Sequence, residues 1–545
     1  MFESQFAKDF FNDACPAYKL PSRDAISGPL LDNVYKQVKN RTEQVVEKLL
    51  HINVITDEST DINTARICNI SIHSPRGSLH YLSEDIRAMQ TTAATSAQWL
   101  RNHLNQVANH NPDRINSITN DTGATMFSMW EEVEKFPEFK HVFFIPCDSH
   151  GIQLLFKDLL KIPRFNDTIQ QAQAVVTAFR KAPLQYARLR TCQQACYGRH
   201  ISLVLSVITR WGTQYRLVES VLKSKDALKR YVCDYEDLPA NKRIKQPVID
   251  IIKQREFWNG LELMRELLKP MDVLLKMSES GQSHLGHVLN RWMDFLKHLR
   301  EKRVEIDELD MFISANGTFS QRYTRQVLPI HIVAYYLMPE TTLCDRQHPD
   351  RTKASIPVHM EQQITAFFRR YTSSEADAKI LIREFLCFRA QQPPFEPARI
   401  FWEESGNPSL FWDLAMGDTH FLSRIASRIF STPVNSVASE RAFSVRNVIH
   451  TKTRNRLHSA KADKLAYLYT NARVLARLDG KVSLDSFYSK NVDSLSNDEE
   501  VTLENMLLEI EAEDSQAGRA ISGGEGENIE EEEVSEATVL MMRGF

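Results

Sequence analysis

The apolar positions change period several times along the chain, and each change marks a new element. Ile26, Leu30, Val34 and Val38 recur every fourth residue, and Val45, Val46, Leu49 and Leu50 carry the pattern on, which predicts helix over much of residues 1–50. The run HINVIT, His51 to Thr56, is short, β-branched and followed by acids; it predicts a strand ending at Asp57. RICNISIH (Arg66 to His73) and SLHYLS (Ser78 to Ser83) flank the turn-forming SPRG and predict a hairpin. A helical stripe of Ala97, Leu100, Leu104 and Val107 follows, and then the strand-like INSITN that delivers Asp121. A second helix through Met126, Trp130 and Val133 leads to HVFFIP, His141 to Pro146, whose nearly unbroken apolar run predicts a buried strand.

The resulting order, β-β-β-α-β-α-β, predicts an α/β fold, a ribonuclease-H-like mixed sheet with flanking helices. From about Arg216 to Phe401 the periodicity is helical, as in Trp258, Leu261, Met264 and Leu268, or Val288, Trp292, Phe295 and Leu299, so the sheet domain is interrupted by a large all-α insertion. After Thr432, the stretch PVNS offers Asn435 or Ser436 as N-cap of a helix through Glu440 to Ile449. The expected division is an N-terminal helical segment over 1–50, the first part of the sheet domain over 51–215 and the helical insertion over 216–404. The remainder of the sheet domain then occupies 405–475, and a tail expected to be disordered occupies 476–545.

Composition narrows the classes. Gly 18 and Pro 21 are few for 545 residues, which argues against sandwiches and barrels. No apolar run approaches the roughly 18 residues of a membrane span, so no membrane partner is expected. The net charge of −3 conceals an asymmetry: residues 491–545 carry −14 and the first 490 residues +11. A basic body with an acidic tail suits a nucleic-acid binder. The eight cysteines, scattered from Cys15 to Cys387, form no disulfide framework and are read as reduced.

Asp57 and Asp121 both stand where strands are expected to end, on strands that lie side by side in this topology. Converging carboxylates repel and raise each other's pKa, and a divalent cation relieves the conflict. Two Mg²⁺ or Mn²⁺ ions held this way would serve phosphodiester cleavage. Taken singly, acids at strand ends are ordinarily turn or cap residues.

The segment TPVNSVASERAFSVRNVIHTKTRNRLHSAKADKLAYLYTNAR, Thr432 to Arg473, resembles the C-terminal dimerisation region of the hAT superfamily of DNA transposases and their domesticated relatives, SERAFS being its most specific part. VITDESTD (Val54 to Asp61), SITNDTGA (Ser117 to Ala124), CDSH (Cys147 to His150) and TRWGT (Thr209 to Thr213) look like the family's successive motifs in its order, and the likeness extends over about residues 15 to 475. It implies a catalytic triad of Asp57, Asp121 and Glu440, all three as metal ligands, with Asp61 the rival for the first position and Asp148 a less favoured acid. It also implies self-association, nuclear residence, and a helical insertion ahead of the glutamate.

Glu440 alone could equally be a carboxylate paired with an arginine at the edge of a packed seam. Cys147 and His150 are candidates to touch DNA near the scissile phosphate. In Arg210 and Trp211 the indole would stack on an extruded base, and the alternative is a core tryptophan. Lys452, Arg454 and Arg456 would contact phosphates, or form a solvated basic face. Cys192, Cys196 and His200 share a helical face but lack a fourth ligand, so no structural zinc is expected. Full-length members usually carry an N-terminal zinc-binding BED finger, and Cys15 is the single cysteine of the first fifty residues, too few for a C-x₂-C pair. Two function classes follow: a metal-dependent DNA strand-transfer enzyme, or a truncated or domesticated non-catalytic nuclear protein that acts by dimerising.

Overall fold

The computed structural model describes residues 5–14, 20–61, 64–74, 77–90, 92–206, 212–343, 356–395, 398–415, 421–451 and 457–478. The chain forms two compact units. Of the described residues, one unit comprises those within Met1–Cys147, Tyr336–Ser355 and Thr365–Leu484, the other those within Asp148–Tyr335 and Ile356–Ile364. They part within the CDSH motif, where the last sheet strand gives way to helix, and not near residue 215.

The first unit is built on a mixed five-stranded sheet in the order β3-β2-β1-β4-β5, with β1 Ile52–Thr60, β2 Arg66–His73, β3 Leu79–Asp85, β4 Ile115–Asn120 and β5 Phe143–Pro146. β1 pairs antiparallel with β2 and parallel with β4, and β4 pairs parallel with β5. This arrangement is consistent with the ribonuclease-H-like fold that the order of elements predicts. At the β2–β3 turn Gly77 takes φ +130°, a region open to glycine at no steric cost, and its N–H closes the turn on the Ser74 carbonyl.

Helix α1, Leu31–Glu47, precedes the sheet; α2, Ala93–Val107, and α3, Ala124–Glu134, are its crossovers. The stripe Ala97, Leu100, Leu104 and Val107 is buried against Val54, Ile70 and Ile118 in one core with Trp130 and Val133. The expected strand end at Asp57 needs correction, because β1 continues to Thr60. Pairing with β2 persists along that arm, while the last β4 partner of β1 is Thr119, opposite Ile55. Asp57 therefore stands where β1 loses its parallel neighbour, and Asp121 follows immediately on the last residue of β4.

The second unit is helical throughout its described residues. Helix α4 spans Asp148–Leu159, α5 Pro183–Tyr197, α6 Arg255–Glu279 and α7 Gly286–Lys302. Trp258, Leu261, Met264 and Leu268 of α6 and Val288, Trp292, Phe295 and Leu299 of α7 are all buried, as their spacing requires. No described helix is long and apolar enough to cross a membrane.

The chain then re-enters the first unit and completes it with α8, Val437–Ile449, and α9, Ser459–Leu478. Val474 and Leu475 belong to the same core as the strands. Asn53 and Asn116 look solvent-facing in sequence but are buried, because the returning segment satisfies them, and buried Ser117 donates its hydroxyl to Asn53 Oδ1 at 2.7 Å. The Asn53 amide donates to the Ser431 carbonyl at 2.9 Å, and that of Asn116 to the Arg428 carbonyl at 2.9 Å.

Candidate functional site

Three far-separated segments are tied together at the C-terminal end of β1. Asn120, the last residue of β4, donates through its side chain to the Thr56 carbonyl at 3.2 Å and accepts from Trp130 Nε1 at 3.0 Å, which holds the Asp121 backbone beside Asp57. From the other side, Asn69, cross-strand partner of Asp57, donates to the Ser439 carbonyl at 3.1 Å. Phe443, one helical turn beyond Glu440, packs on Ala65 and Ile67. Helix α8 thereby presents Glu440 to the strand that carries Asp57.

The electrostatics register this convergence. Burial pushes the Asp57 carboxyl up to about 7, and the negative charges of Asp121 and then Glu440 add to the shift. Glu440 is also raised, first by the loss of hydration among surrounding protein and then by Asp121, with Arg441 opposing. By accessible surface Glu440 is exposed, so its carboxylate lies at an open rim and not in a sealed interior. Beside the acids a small cleft, with room of about 70 Å³, is lined by Asp57, Asp121, Glu58, Met89, Trp99 and Met126. A strip of acids thus borders an apolar, methionine- and tryptophan-walled hollow.

Among the described residues, no three His, Cys, Asp or Glu side chains are gathered closely enough to form a ready-made metal cage. Asp57, Asp121 and Glu440 lie within electrostatic reach of one another. A donor set of hard oxygens with surplus negative charge suits Mg²⁺ or Mn²⁺.

The comparisons with known proteins fall on the same segments. A family model described as a domain of unknown function, DUF659, matches residues 21–175, and one described as the hAT family C-terminal dimerisation region matches residues 390–472. In these segments the chain is transposase-like and similar to the hAT family. Among its curated relatives, the putative AC9 transposase of Zea mays is 31% identical over 100 residues, 17% of this chain and 12% of that protein. The putative AC transposase of Zea mays is 32% identical over 89 residues, 16% of this chain and 11% of that one.

In this hAT-like chain the rivals of the triad have other work. Asp61 is buried, accepts the Ala65 N–H at 2.8 Å and is ion-paired with Arg446 Nη1 at 3.3 Å, while Arg446 also donates to Asp463 at 2.6 Å and to Ser459 at 2.8 Å. Asp148 is fully buried in the helical unit and receives Arg291 Nε at 2.8 Å, Ser278 Oγ at 2.7 Å and Trp292 Nε1 at 3.0 Å. Each is a structural anion with its charge already compensated.

Cys147 needs correction as a candidate DNA contact. It is fully buried, its N–H donates to the Asn120 carbonyl at 2.7 Å, and its thiol accepts the Ser436 N–H at 3.2 Å. The motif cysteine therefore holds the start of the glutamate helix. The Val437 N–H is taken by Asn435 Oδ1 at 3.2 Å, and Ser436 occupies the N-cap position without a capping side-chain bond. His150 is partly exposed on the first turn of α4. Arg210, Trp211, Lys452, Arg454 and Arg456 lie outside the described residues.

Sequence reasoning missed Asn69, Asn120 and Arg446, the residues that position the acids. Their signal was present: polar side chains at inward positions of strand and helix, where burial demands a partner.

Proposed function

We propose that this hAT-like protein is a metal-dependent DNA cleavage and strand-transfer enzyme of the nucleus, and that Asp57, Asp121 and Glu440 are its metal ligands. The observation that carries the reading is the mutual charge coupling of these three carboxylates beside an open cleft, together with the pairing of Asp61 and Asp148 to arginines. Asp57 and Asp121 would hold one or two Mg²⁺ or Mn²⁺ ions from adjacent strands, with Glu440 closing the set from α8. Bound there, the ions supply activation of a water or hydroxyl and charge stabilisation at the leaving oxygen. Asn69 and Cys147 position α8, and the Asn120 amide keeps the two strand ends in register. The apolar wall of Met89, Trp99 and Met126 excludes water from one side of the reacting phosphate.

The test is nicking of a duplex bearing terminal inverted repeats by the full chain in Mn²⁺. Asp57→Asn, Asp121→Asn and Glu440→Gln should each abolish it. Cleavage that survives in all three variants rejects the assignment. A second reading, a non-catalytic protein acting through dimerisation, is supported by the match of residues 390–472 to the hAT dimerisation region. It requires that Mn²⁺ fail to bind the full chain in a calorimetric titration.

A further inference from the structure

We propose that the turn from Leu238 to Lys245, braced against α5, is a docking surface for the phosphate backbone of duplex DNA, carried by the helical unit and not by the unit that holds the acids. The inference rests on the reading that this protein acts on DNA and adds where a duplex is gripped. The segment LPANKRIKQP, Leu238 to Pro247, contains Lys242, Arg243 and Lys245 and no acid. It is a rigid feature. The Lys242 carbonyl accepts Arg188 Nη1 at 2.7 Å and Gln185 Nε2 at 3.2 Å, both from α5. Tyr231 fixes Gln185 through a hydroxyl hydrogen bond at 2.5 Å, and the Arg188 guanidinium lies 4.8 Å from the Tyr235 ring centroid. Arg243 Nε donates to the Leu238 carbonyl at 2.9 Å, closing the turn on itself.

These bonds gather four cations, Arg188, Lys242, Arg243 and Lys245, in one place, and among the described residues none of them is ion-paired with a carboxylate. Lys242 and Lys245 are exposed. Unneutralised cations on a fixed frame match the regularly spaced charges of a nucleic-acid backbone, and each phosphate they neutralise releases condensed counterions. The same KRIK tetrapeptide could be offered to a receptor that reads basic peptides, such as an import factor. That mode needs an extended strand. Here Ile244 is only 4% exposed and the Lys242 carbonyl is engaged twice, so presenting the peptide would strip a core residue from the unit. The folded geometry favours the polyanion.

The test measures anisotropy of a labelled duplex of arbitrary sequence titrated with the full chain at several salt concentrations between about 50 and 200 mM. The variants are Lys242→Ala/Lys245→Ala and the charge-preserving Lys242→Arg/Lys245→Arg. The alanine pair should flatten the slope of log affinity against log salt by about 0.9 for each phosphate that is no longer neutralised, up to about 2. The arginine pair should keep the wild-type slope. An unchanged slope in the alanine pair overturns the surface, and Mn²⁺-dependent nicking that persists in the same protein shows that the enzymatic reading survives it. Absence of any duplex binding by the wild type overturns the surface and the DNA reading together. Capture of the wild type but not the alanine pair by a purified import receptor, with equal salt slopes, assigns the tetrapeptide to import instead.

Discussion

The side-chain amide of Asn69 donates to the backbone carbonyl of Ser439 at 3.1 Å, so the residue paired across the sheet with Asp57 also grips the residue that precedes Glu440. One side chain sets the spacing between two of the three acids. Asn69 is fully buried, and Asn69→Ala would leave the Ser439 carbonyl without that partner, at a cost of about 1–2 kcal/mol. Mn²⁺-dependent nicking should fall by a larger factor than this loss of stability explains, because Glu440 is freed to drift. Nicking rates measured well below the melting temperature of the variant check this; equal loss in both quantities would reduce Asn69 to a packing residue.

The Asp57 carboxyl, raised to about 7, makes stability depend on pH in a defined direction. In the folded metal-free protein the group holds its proton more tightly than in the unfolded chain, so stability falls as pH rises from about 4 to about 7. Asp57→Asn removes that loss. The variant should be more stable than the wild type at pH 8, by on the order of 1–2 kcal/mol after solvent screening, and the gap should close below about pH 4. Thermal melts across this range in EDTA read it directly. Adding Mn²⁺ should raise the wild-type melting temperature at pH 8 and leave that of the variant nearly unchanged.

Asp148 is the counter-case, an acid whose loss should damage folding instead of chemistry. Asp148→Ala leaves Arg291, itself buried, without its counter-charge, and removal of one partner of such a pair costs about 3–5 kcal/mol. Denaturant unfolding should show a loss of that size. A variant with unchanged stability would mean that Asp148 is not the structural anion described above.

Cys147 should resist a thiol reagent under native conditions, because the thiol is fully buried and receives the Ser436 N–H. Cys196 and Cys233 are exposed and should react first. Mass spectrometry of alkylated peptides distinguishes them. Early labelling of Cys147 would mean that the start of the glutamate helix opens readily.

Self-association is expected of the region matched by the hAT dimerisation model, and within it Ile400 is 65% exposed and Val448 59% exposed. Apolar side chains this exposed are candidates for the contact. Ile400→Glu or Val448→Glu should shift the sedimentation coefficient towards the monomer without lowering the melting temperature. Deleting the whole segment beyond residue 405 is a poorer test, since Val474 and Leu475 sit in the same core as the strands and their loss would unfold the sheet.

Local pattern alone specified which elements form. The β-branched run at His51 to Thr56, the four-residue stripe from Ala97 and the apolar HVFFIP each encode a period, and period is a property of neighbours along the chain. The resemblance to the hAT motifs, beyond the local pattern, implied Asp57, Asp121 and Glu440 as a set. Strand-end position favoured Asp57 over Asp61 in the sequence, but β1 runs on to Thr60, and what sets the two apart is the arrival of Arg446 at Asp61. The inward role of Cys147, the burial of Asn53 and Asn116, and the extension of β1 to Thr60 have the same origin. Each is decided by a partner hundreds of residues away or on a neighbouring strand, and the energy of a buried polar group depends on who meets it. Sequence named the acids; the tertiary structure decided that Asp61 and Asp148 pair with arginines.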